Sequence, residues 1–392
     1  MSRTLRLTST GWAIVAVTVY RLLTLIATLS HRDSITQLHQ HNTGSSVFGW
    51  WDGQWYLRIA ENGYNPAFVQ HSVIGKQTEA AFPPALAALM GGTHRLLGID
   101  YTVAGLIWCF LALLAIGIGL VRLVERDYGR RVALLTVVFL LLWPPSIFFG
   151  MLYQDGITLA GVVWAFVFVR DRRPVLAGVA LGIACLSKLV AAAALLALAV
   201  DYLHETAGET GSTRERAARY RRLGYLVAGP VVAIGGWLLY SGIRFHHLTA
   251  ALDAERAWDH ELTTPWHSIS VSIDAIHKLK STGYQAVLIG DFIALGLVLL
   301  ALGYLAVRRA RPSYLVFTAT MFLALTCNGN TVSVDRYVLL VFTVFLAAAL
   351  AVDWLFERRR QLGAVAVGLA VVLAVPVQLW LISRFARYYW AG

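Results

Sequence analysis

The feature that most constrains this chain is the length of its apolar blocks. They run to roughly 18 to 22 residues, the length that about 30 Å of hydrocarbon demands of a helix. The alternating segments of about ten residues that mark a membrane barrel do not occur. With 58% hydrophobic and 14% charged residues over 392 positions, a soluble globule could not cover itself with polar surface. The pattern predicts an all-α, polytopic transmembrane bundle. Spans fall at Gly11–Leu29, Tyr101–Val121, Val132–Phe149, Ile157–Val169, Val175–Ser187, Leu189–Leu203, Gly224–Gly242, Ala286–Val307, Ser313–Cys327, Tyr337–Phe356 and Leu362–Ile382, eleven in all. The first follows a short basic start, but it is long enough to span and no small-residue cleavage site follows, so it reads as a retained helix.

The 33 basic residues outnumber the 22 acidic ones, yet they cluster in short segments between apolar spans, so topology explains them and nucleic acid is excluded as a partner. If Arg3 and Arg6 are cytoplasmic, alternating sides places every dense cluster inside: Arg122 to Arg131, Arg170 to Arg173, Arg214 to Arg222, Arg308 to Arg311 and Arg358 to Arg360. The N-terminus is then cytoplasmic and the C-terminus extracytoplasmic, in a multi-pass protein of the cell membrane. This requires that Phe82–Met90 not cross; it is short and interrupted by Gly91-Gly92 and His94-Arg95, as an interfacial or re-entrant helix would be. It also requires Val175–Ser187 and Leu189–Leu203 to be two helices, since one would invert everything downstream. The chain reads as a single membrane domain, 1–392, with large outer loops at about 30–100 and 244–285 and no internal repeat. The longest inner loop, Asp201 to Arg222, reads as a solvated polar hairpin. Cys109, Cys185 and Cys327 lie in apolar stretches, where thiols act as small core residues.

Groups able to do chemistry concentrate on the outer side. Trp50-Trp51-Asp52-Gly53-Gln54-Trp55-Tyr56 sets a carboxylate among aromatics, at the start of a short amphipathic helix. Asp52 is open to two readings, a helix N-cap or a polar group between rings on which sugars stack. Pro144-Pro145 breaks the third span near its outer end, and the freed carbonyls must then face protein or water. Tyr153 and Asp155 follow, and Asp155 could equally cap the next helix. Lys188 is flanked by apolar residues on both sides, an expensive place for a charge that usually marks a ligand or an ion-pair partner. Arg336 opens a late span, where it could pair with Asp335 or, with Lys188, hold a phosphate. The segment Asp253 to Glu261 matches neither HExxH nor a calcium loop; Glu255, Arg256 and Asp259 read as pairing along one helix, and no metal or cofactor is assigned.

Jointly the motifs resemble the PIG-V type of mannosyltransferase, especially its bacterial relatives. The resemblance is carried by Trp51-Asp52, Ile59-Ala60-Glu61-Asn62-Gly63-Tyr64 and Glu79-Ala80-Ala81-Phe82-Pro83, then Pro144-Pro145-Ser146-Ile147-Phe148-Phe149, Tyr153-Gln154-Asp155 and Arg336-Tyr337. The chain departs from that family in having Tyr153-Gln154-Asp155 for Tyr-x-Glu and Ser187-Lys188 for Thr-Arg. The resemblance implies a GT-C-like bundle with juxtamembrane helices in the first outer loop. It further implies transfer of mannose, with inversion, from a polyprenyl-phosphate mannose to a hydroxyl of a glycolipid, lipoglycan or protein. Asp52 would be the general base, with Lys188 and Arg336 holding the donor phosphate on the opposite side of the sugar. Trp51, Trp55, Glu61, Tyr64, Glu79, Tyr153, Asp155, Arg256 and His260 are the candidates for contacting sugar or acceptor. The rival is a transporter or flippase of a lipid-linked sugar, against which the lack of paired broken helices in two matching halves counts.

Overall fold

A computed structural model describes residues 7–31, 46–66, 77–209, 211–279 and 281–392. The described residues are 83% helix, without strands. Every apolar stretch assigned above lies mainly on helix, with breaks at Trp143 inside Val132–Phe149 and at Val341 inside Tyr337–Phe356. Five helices are long and apolar enough to cross a membrane on their own, and up to seven if two sharply bent pairs each count as one span. The remaining apolar helices are shorter, so length and composition alone do not reach the eleven spans expected.

In chain order the elements are α1 (Ser9–Ser30), α2 (Asp52–Asn62), α3 (Ala85–Leu97), α4 (Tyr101–Leu142), α5 (Asp155–Arg170), α6 (Pro174–Ser187), α7 (Ala194–Glu205) and α8 (Thr213–Phe245), followed by α9 (Ala250–Glu255), α10 (Pro265–Lys278), α11 (Thr282–Val307), α12 (Pro312–Thr326), α13 (Val334–Tyr337), α14 (Phe342–Arg358) and α15 (Arg360–Ala386). The 42-residue α4 is interrupted at Gly129, whose φ of 81° leaves the helical region and separates its two apolar halves. The segment after Phe82 forms α3, whose 13 residues cover only about 20 Å and so cannot span. The stretches on either side of Lys188 are two helices: Lys188 is extended (φ −144°, ψ 128°) and a 3₁₀ turn, Leu189–Ala193, precedes α7.

Helix crossings rely on small residues, as expected where lipid offers no competing hydrophobic drive. A Cβ added at Gly229 of α8 would meet the Gly178 carbonyl of α6 at 1.9 Å. The Pro144-Pro145 break is closed from another helix. Gln378 of α15 donates its amide to the carbonyls of Leu141 (2.7 Å) and Trp143 (3.1 Å), and Ser146 Oγ also donates to Leu141 O (2.8 Å). Of the carbonyls that the two missing proline donors leave open, Leu141 thus finds these partners and Leu140 accepts the Trp143 backbone N–H (3.3 Å).

One end of the bundle is tied by a buried charge network. Arg170, at the end of α5, pairs with Asp201 (2.9 Å) and Asp127 (2.5 Å), and its guanidinium lies 5.1 Å from the ring of Tyr314. Arg311 reaches Asp127 and Asp201, each at 3.5 Å, and Glu205, while Ser313 and Tyr314 donate to Asp201 and Asp127. This corrects the reading of Asp201 to Arg222 as a solvated hairpin at its start only; most of the stretch from Ala207 to Arg222 is exposed, as that reading expects. Asp201 and Thr206 are fully buried, because the acids of this loop neutralise arginines that a count of basic residues assigns to the surface. Replacing Arg170 by Leu leaves Asp127 and Asp201 short of a counter-charge in a dry site, with an expected loss of about 3–5 kcal/mol. Thermal unfolding of the purified variant measures it.

Candidate active site

The site is assembled where helices are broken. The 3₁₀ run Pro144–Gly150 and α5 meet at 98°, and the chain between them carries Tyr153 and leads into Asp155. The segment Val334–Leu340 and α14 meet at 77°, and the first turn of that segment carries Arg336 and Tyr337. The break between α6 and α7 presents Lys188. Two of these breaks are joined directly: Ser187 Oγ donates to the Gln154 carbonyl (3.0 Å) and accepts from Thr158 Oγ1 (3.0 Å).

Two ion pairs result. Arg336 Nη1 lies 2.9 Å from Asp52 Oδ2, bridging 284 positions of sequence. Lys188 Nζ lies 2.9 Å from Asp155 Oδ1. The side chains are 4% and 20% exposed in the first pair and 11% and 0% in the second, Lys188 and Asp155 respectively, so Asp52 is the group that solvent reaches best. The pairs share an aromatic partition. The Arg336 guanidinium sits 5.1 to 5.4 Å from the rings of Tyr153, Phe148 and Tyr337, and Lys188 Nζ is 4.1 Å from the Tyr337 ring. Neither carboxylate oxygen of Asp155 has an aligned hydrogen bond among the described residues, and neither has Arg336 Nε, although both side chains are buried. Asp155 is thus held by charge proximity to Lys188, not by an oriented donor.

These positions decide the readings left open by the sequence. Asp52 is the first helical residue of α2, and no side chain caps that helix, so Asp52 does not act as an N-cap. Asp155 likewise opens α5 while its carboxylate turns to Lys188. Arg336 directs its guanidinium to Asp52, and the Asp335 carboxylate instead accepts the Arg336 backbone N–H (2.6 Å). One expectation is overturned: Asp52 does not stand apart from both cations but touches Arg336, because this buried guanidinium takes a carboxylate as its counter-charge.

The other candidates are placed around this centre. Trp51 stacks on Tyr388 (4.8 Å between ring centroids, 14° between planes). Trp55 stacks on Phe82 (5.4 Å, 17°) with Trp258 edge-on at 6.3 Å. Glu79 is buried, accepts the Asn65 amide (3.0 Å) and faces Arg58 (3.9 Å), so it clamps the chain after α2. Tyr64 packs on Trp237, Tyr240 and Phe245 and donates its hydroxyl to the Phe82 carbonyl. Burial, with Tyr240 and Glu79 nearby, pushes that phenol well above its ordinary range. Glu61 is exposed. Arg256 pairs with Asp253 (3.5 Å) and His260 with Glu255 (2.8 Å), while Asp259 takes a left-handed turn. The pairing of Glu255, Arg256 and Asp259 along one helix is therefore incorrect, since the helix ends before Asp259. The Thr249 hydroxyl, with His247 and Arg256 assisting, holds the Asp253 carboxyl below its usual value. None of Glu61, Tyr64, Glu79, Arg256 and His260 enters the two ion pairs. No group of three or more His, Cys, Asp and Glu able to hold a metal occurs among the described residues.

Two contributors were not anticipated. Tyr56, one turn after Asp52 on the same face of α2, is buried; burial and the charges of Asp52 and Asp155 push its phenol well above the ordinary range and keep it protonated. Its spacing from Asp52 was the available signal. Asp291 of α11 accepts the Asp335 backbone N–H (2.8 Å) and so holds the turn that carries Arg336.

The model of glycosyltransferase family 87 matches residues 81–328, well over half of the chain. The chain belongs to glycosyltransferase family 87. In this family-87 glycosyltransferase the matched segment includes Tyr153, Asp155, Lys188, Arg256 and His260, while Asp52 and Arg336 lie on either side of it. No curated protein matches the chain in sequence. Solved structures similar in fold include ArnT from Cupriavidus metallidurans bound to undecaprenyl phosphate (TM-score 0.53, 16% identity, 97% of this chain and 69% of that one). The same enzyme in the apo state gives a TM-score of 0.52 at 16% identity over 94% of this chain and 77% of that one. The Archaeoglobus fulgidus oligosaccharyltransferase AglB, in complex with an inhibitory peptide and a dolichol-phosphate, gives 0.50 at 14% identity over 97% of this chain. The chain spans 56% of the length of that archaeal enzyme. These likenesses establish a GT-C-like helical membrane fold.

Because Asp155 is fully buried, Lys188→Met in this glycosyltransferase strands a charge and is expected to cost about 3–5 kcal/mol. The double variant Lys188→Met with Asp155→Leu should recover much of that loss. A thermal-unfolding double-mutant cycle checks it, additive losses contradicting the pairing.

Proposed function

We propose that this glycosyltransferase transfers mannose, with inversion, from a polyprenyl-phosphate mannose to a hydroxyl of an extracytoplasmic glycolipid, lipoglycan or protein acceptor. The carrying observation is the contact between a partly exposed carboxylate and a buried guanidinium, Asp52 and Arg336, beside the second pair Asp155 and Lys188. Asp52 serves as general base: it takes the proton of the acceptor hydroxyl as that oxygen attacks the anomeric carbon. The bond from that carbon to the phosphate oxygen breaks, and the phosphate leaves with the electron pair. A phosphate is a weak base that requires positive charge more than a proton, which suits Arg336 and Lys188.

In the ligand-free protein Asp52 is engaged by Arg336. A donor phosphate offers the guanidinium a second anion with bidentate geometry, and Arg336 Nε has no hydrogen-bond partner among the described residues. Donor binding would therefore draw Arg336 from Asp52, open room for the sugar between them and free the base. The phosphopolyprenols bound by ArnT and AglB, which share the fold, support a lipid-phosphate donor. The motifs shared with PIG-V-type enzymes support mannose. The distribution of Lys and Arg supports a cytoplasmic N-terminus, an extracytoplasmic C-terminus and an outer-facing site in the cell membrane.

Purified protein given polyprenyl-phosphate [³H]mannose and a glycolipid acceptor should form radiolabelled product. Asp52→Asn should lower turnover by about 10²-fold or more, and because it also leaves buried Arg336 short of its counter-charge, turnover is compared on the folded fraction measured by thermal unfolding. Lys188→Glu should weaken donor binding. Movement of the intact donor across a vesicle membrane without sugar transfer would favour a transporter, and transfer of another lipid-linked sugar in preference would replace mannose.

A further inference from the structure

We propose that the segment following α15 is a strap that holds the catalytic loop in register, with Tyr388 and Trp390 as positioning residues for Asp52. The proposal rests on the reading of Asp52 as the base. Trp51 immediately precedes Asp52 and has φ 56° and ψ −120°, a region that a bulky residue occupies only when its surroundings over-determine it. Its own polar atom does not provide that constraint: the Trp51 indole N–H is buried and has no hydrogen-bond partner among the described residues.

Ring packing supplies it instead. Tyr388 stacks on Trp51, and Trp390 meets its ring edge-on at 5.2 Å. The same Tyr388 ring abuts Trp50 at 5.2 Å, and its hydroxyl receives the Gln54 side-chain amide at 3.2 Å. One tyrosine therefore touches residues before and after Asp52. The strap is itself anchored: Arg384 donates two hydrogen bonds to the Trp390 carbonyl (3.0 and 2.9 Å), and Tyr388 takes a left-handed φ of 63°. From the other side, the Tyr153 hydroxyl donates to the Trp50 carbonyl (3.2 Å). Asp52 is thereby aimed at Arg336 by a backbone turn that relaxes if the strap is removed.

The test uses purified full-length protein and two readouts. Hydrogen–deuterium exchange of the peptide covering residues 47–57 should rise about tenfold in Tyr388→Ala and in Trp390→Ala, with the peptide carrying Arg170 unchanged. In the same variants kcat for sugar transfer should fall about tenfold or more, with KM for the donor little altered, as small misplacement of a reacting group predicts. Tyr388→Phe keeps the ring and should recover most of both. Unchanged exchange in both alanine variants overturns the proposal, and so does a loosened peptide with unchanged kcat. Tyr388→Phe as impaired as Tyr388→Ala overturns it also, since the role would then belong to the hydroxyl. If Tyr388→Ala does not fold, Trp390→Ala carries both readouts. An active Asp52→Asn would instead remove the base assignment, leaving the exchange result to judge the strap by itself.

Discussion

A helix broken at membrane depth exposes carbonyls that hydrocarbon cannot satisfy, so each break must be repaired by protein or by water. The site depends on three such breaks. At the first, Gln378 and Ser146 take over the Leu141 carbonyl that Pro145 leaves without a donor, and Gln378 also reaches the Trp143 carbonyl. Ser187 at the second break donates to Gln154 at the first, and Asp291 holds the turn at the third. What the breaks provide is direction. A continuous helix points its side chains sideways into neighbours, whereas a bend lets Tyr153, Lys188 and Arg336 converge on one place. The repaired backbone makes that place rigid.

Convergence brings charge into a dry environment, and charge balance then dictates the partners. Two acids and two bases meet as two pairs, with the Tyr337 ring in contact with both cations. Isolated, any of the four would be costly to bury. Their exposure separates them: Asp155 and Lys188 are closed in, while Asp52 keeps contact with solvent. On the proposed reading, a substrate would reach Asp52 without disturbing the inner pair. The network of Arg170, Asp127, Asp201 and Arg311 follows the same balancing rule, roughly 22 Å away along the 16 residues of α5.

Much of this was legible from residue type and position. Lys188 stood out because an ionisable group beside apolar runs is expensive, and the prolines at 144 and 145 announced a break, after which Asp155 was open between a cap and a site group. The apolar blocks were long enough to mark the helices on which the fold is built. What could not be read was partnership. Asp52 and Arg336 are 284 positions apart, so local logic offered Arg336 its neighbour Asp335 and offered Asp52 a capping role. Asp201 was hidden for a related reason, since counting basic residues assigns sides of a membrane but says nothing of the acids that neutralise them. Tyr388 and Trp390 follow a span, where aromatic residues ordinarily mark the interface, and only their contact with Trp51 distinguishes them.

If Asp52 is the general base, as proposed, its contact with Arg336 bears on mechanism more than distance alone suggests. A general base left free in a partly exposed loop would be solvated and mobile, and each turnover would have to restrict it again. Pairing with Arg336 holds the carboxylate in one place before substrate arrives, at the cost of occupying it. Competition by a phosphate for the same guanidinium reverses only the second effect, because the turn at Trp51 and the rings around it keep the carboxylate where it was. On the proposed reading, release of the base would be coupled to arrival of the leaving group, so that an acceptor hydroxyl would meet an available base only with a donor in place.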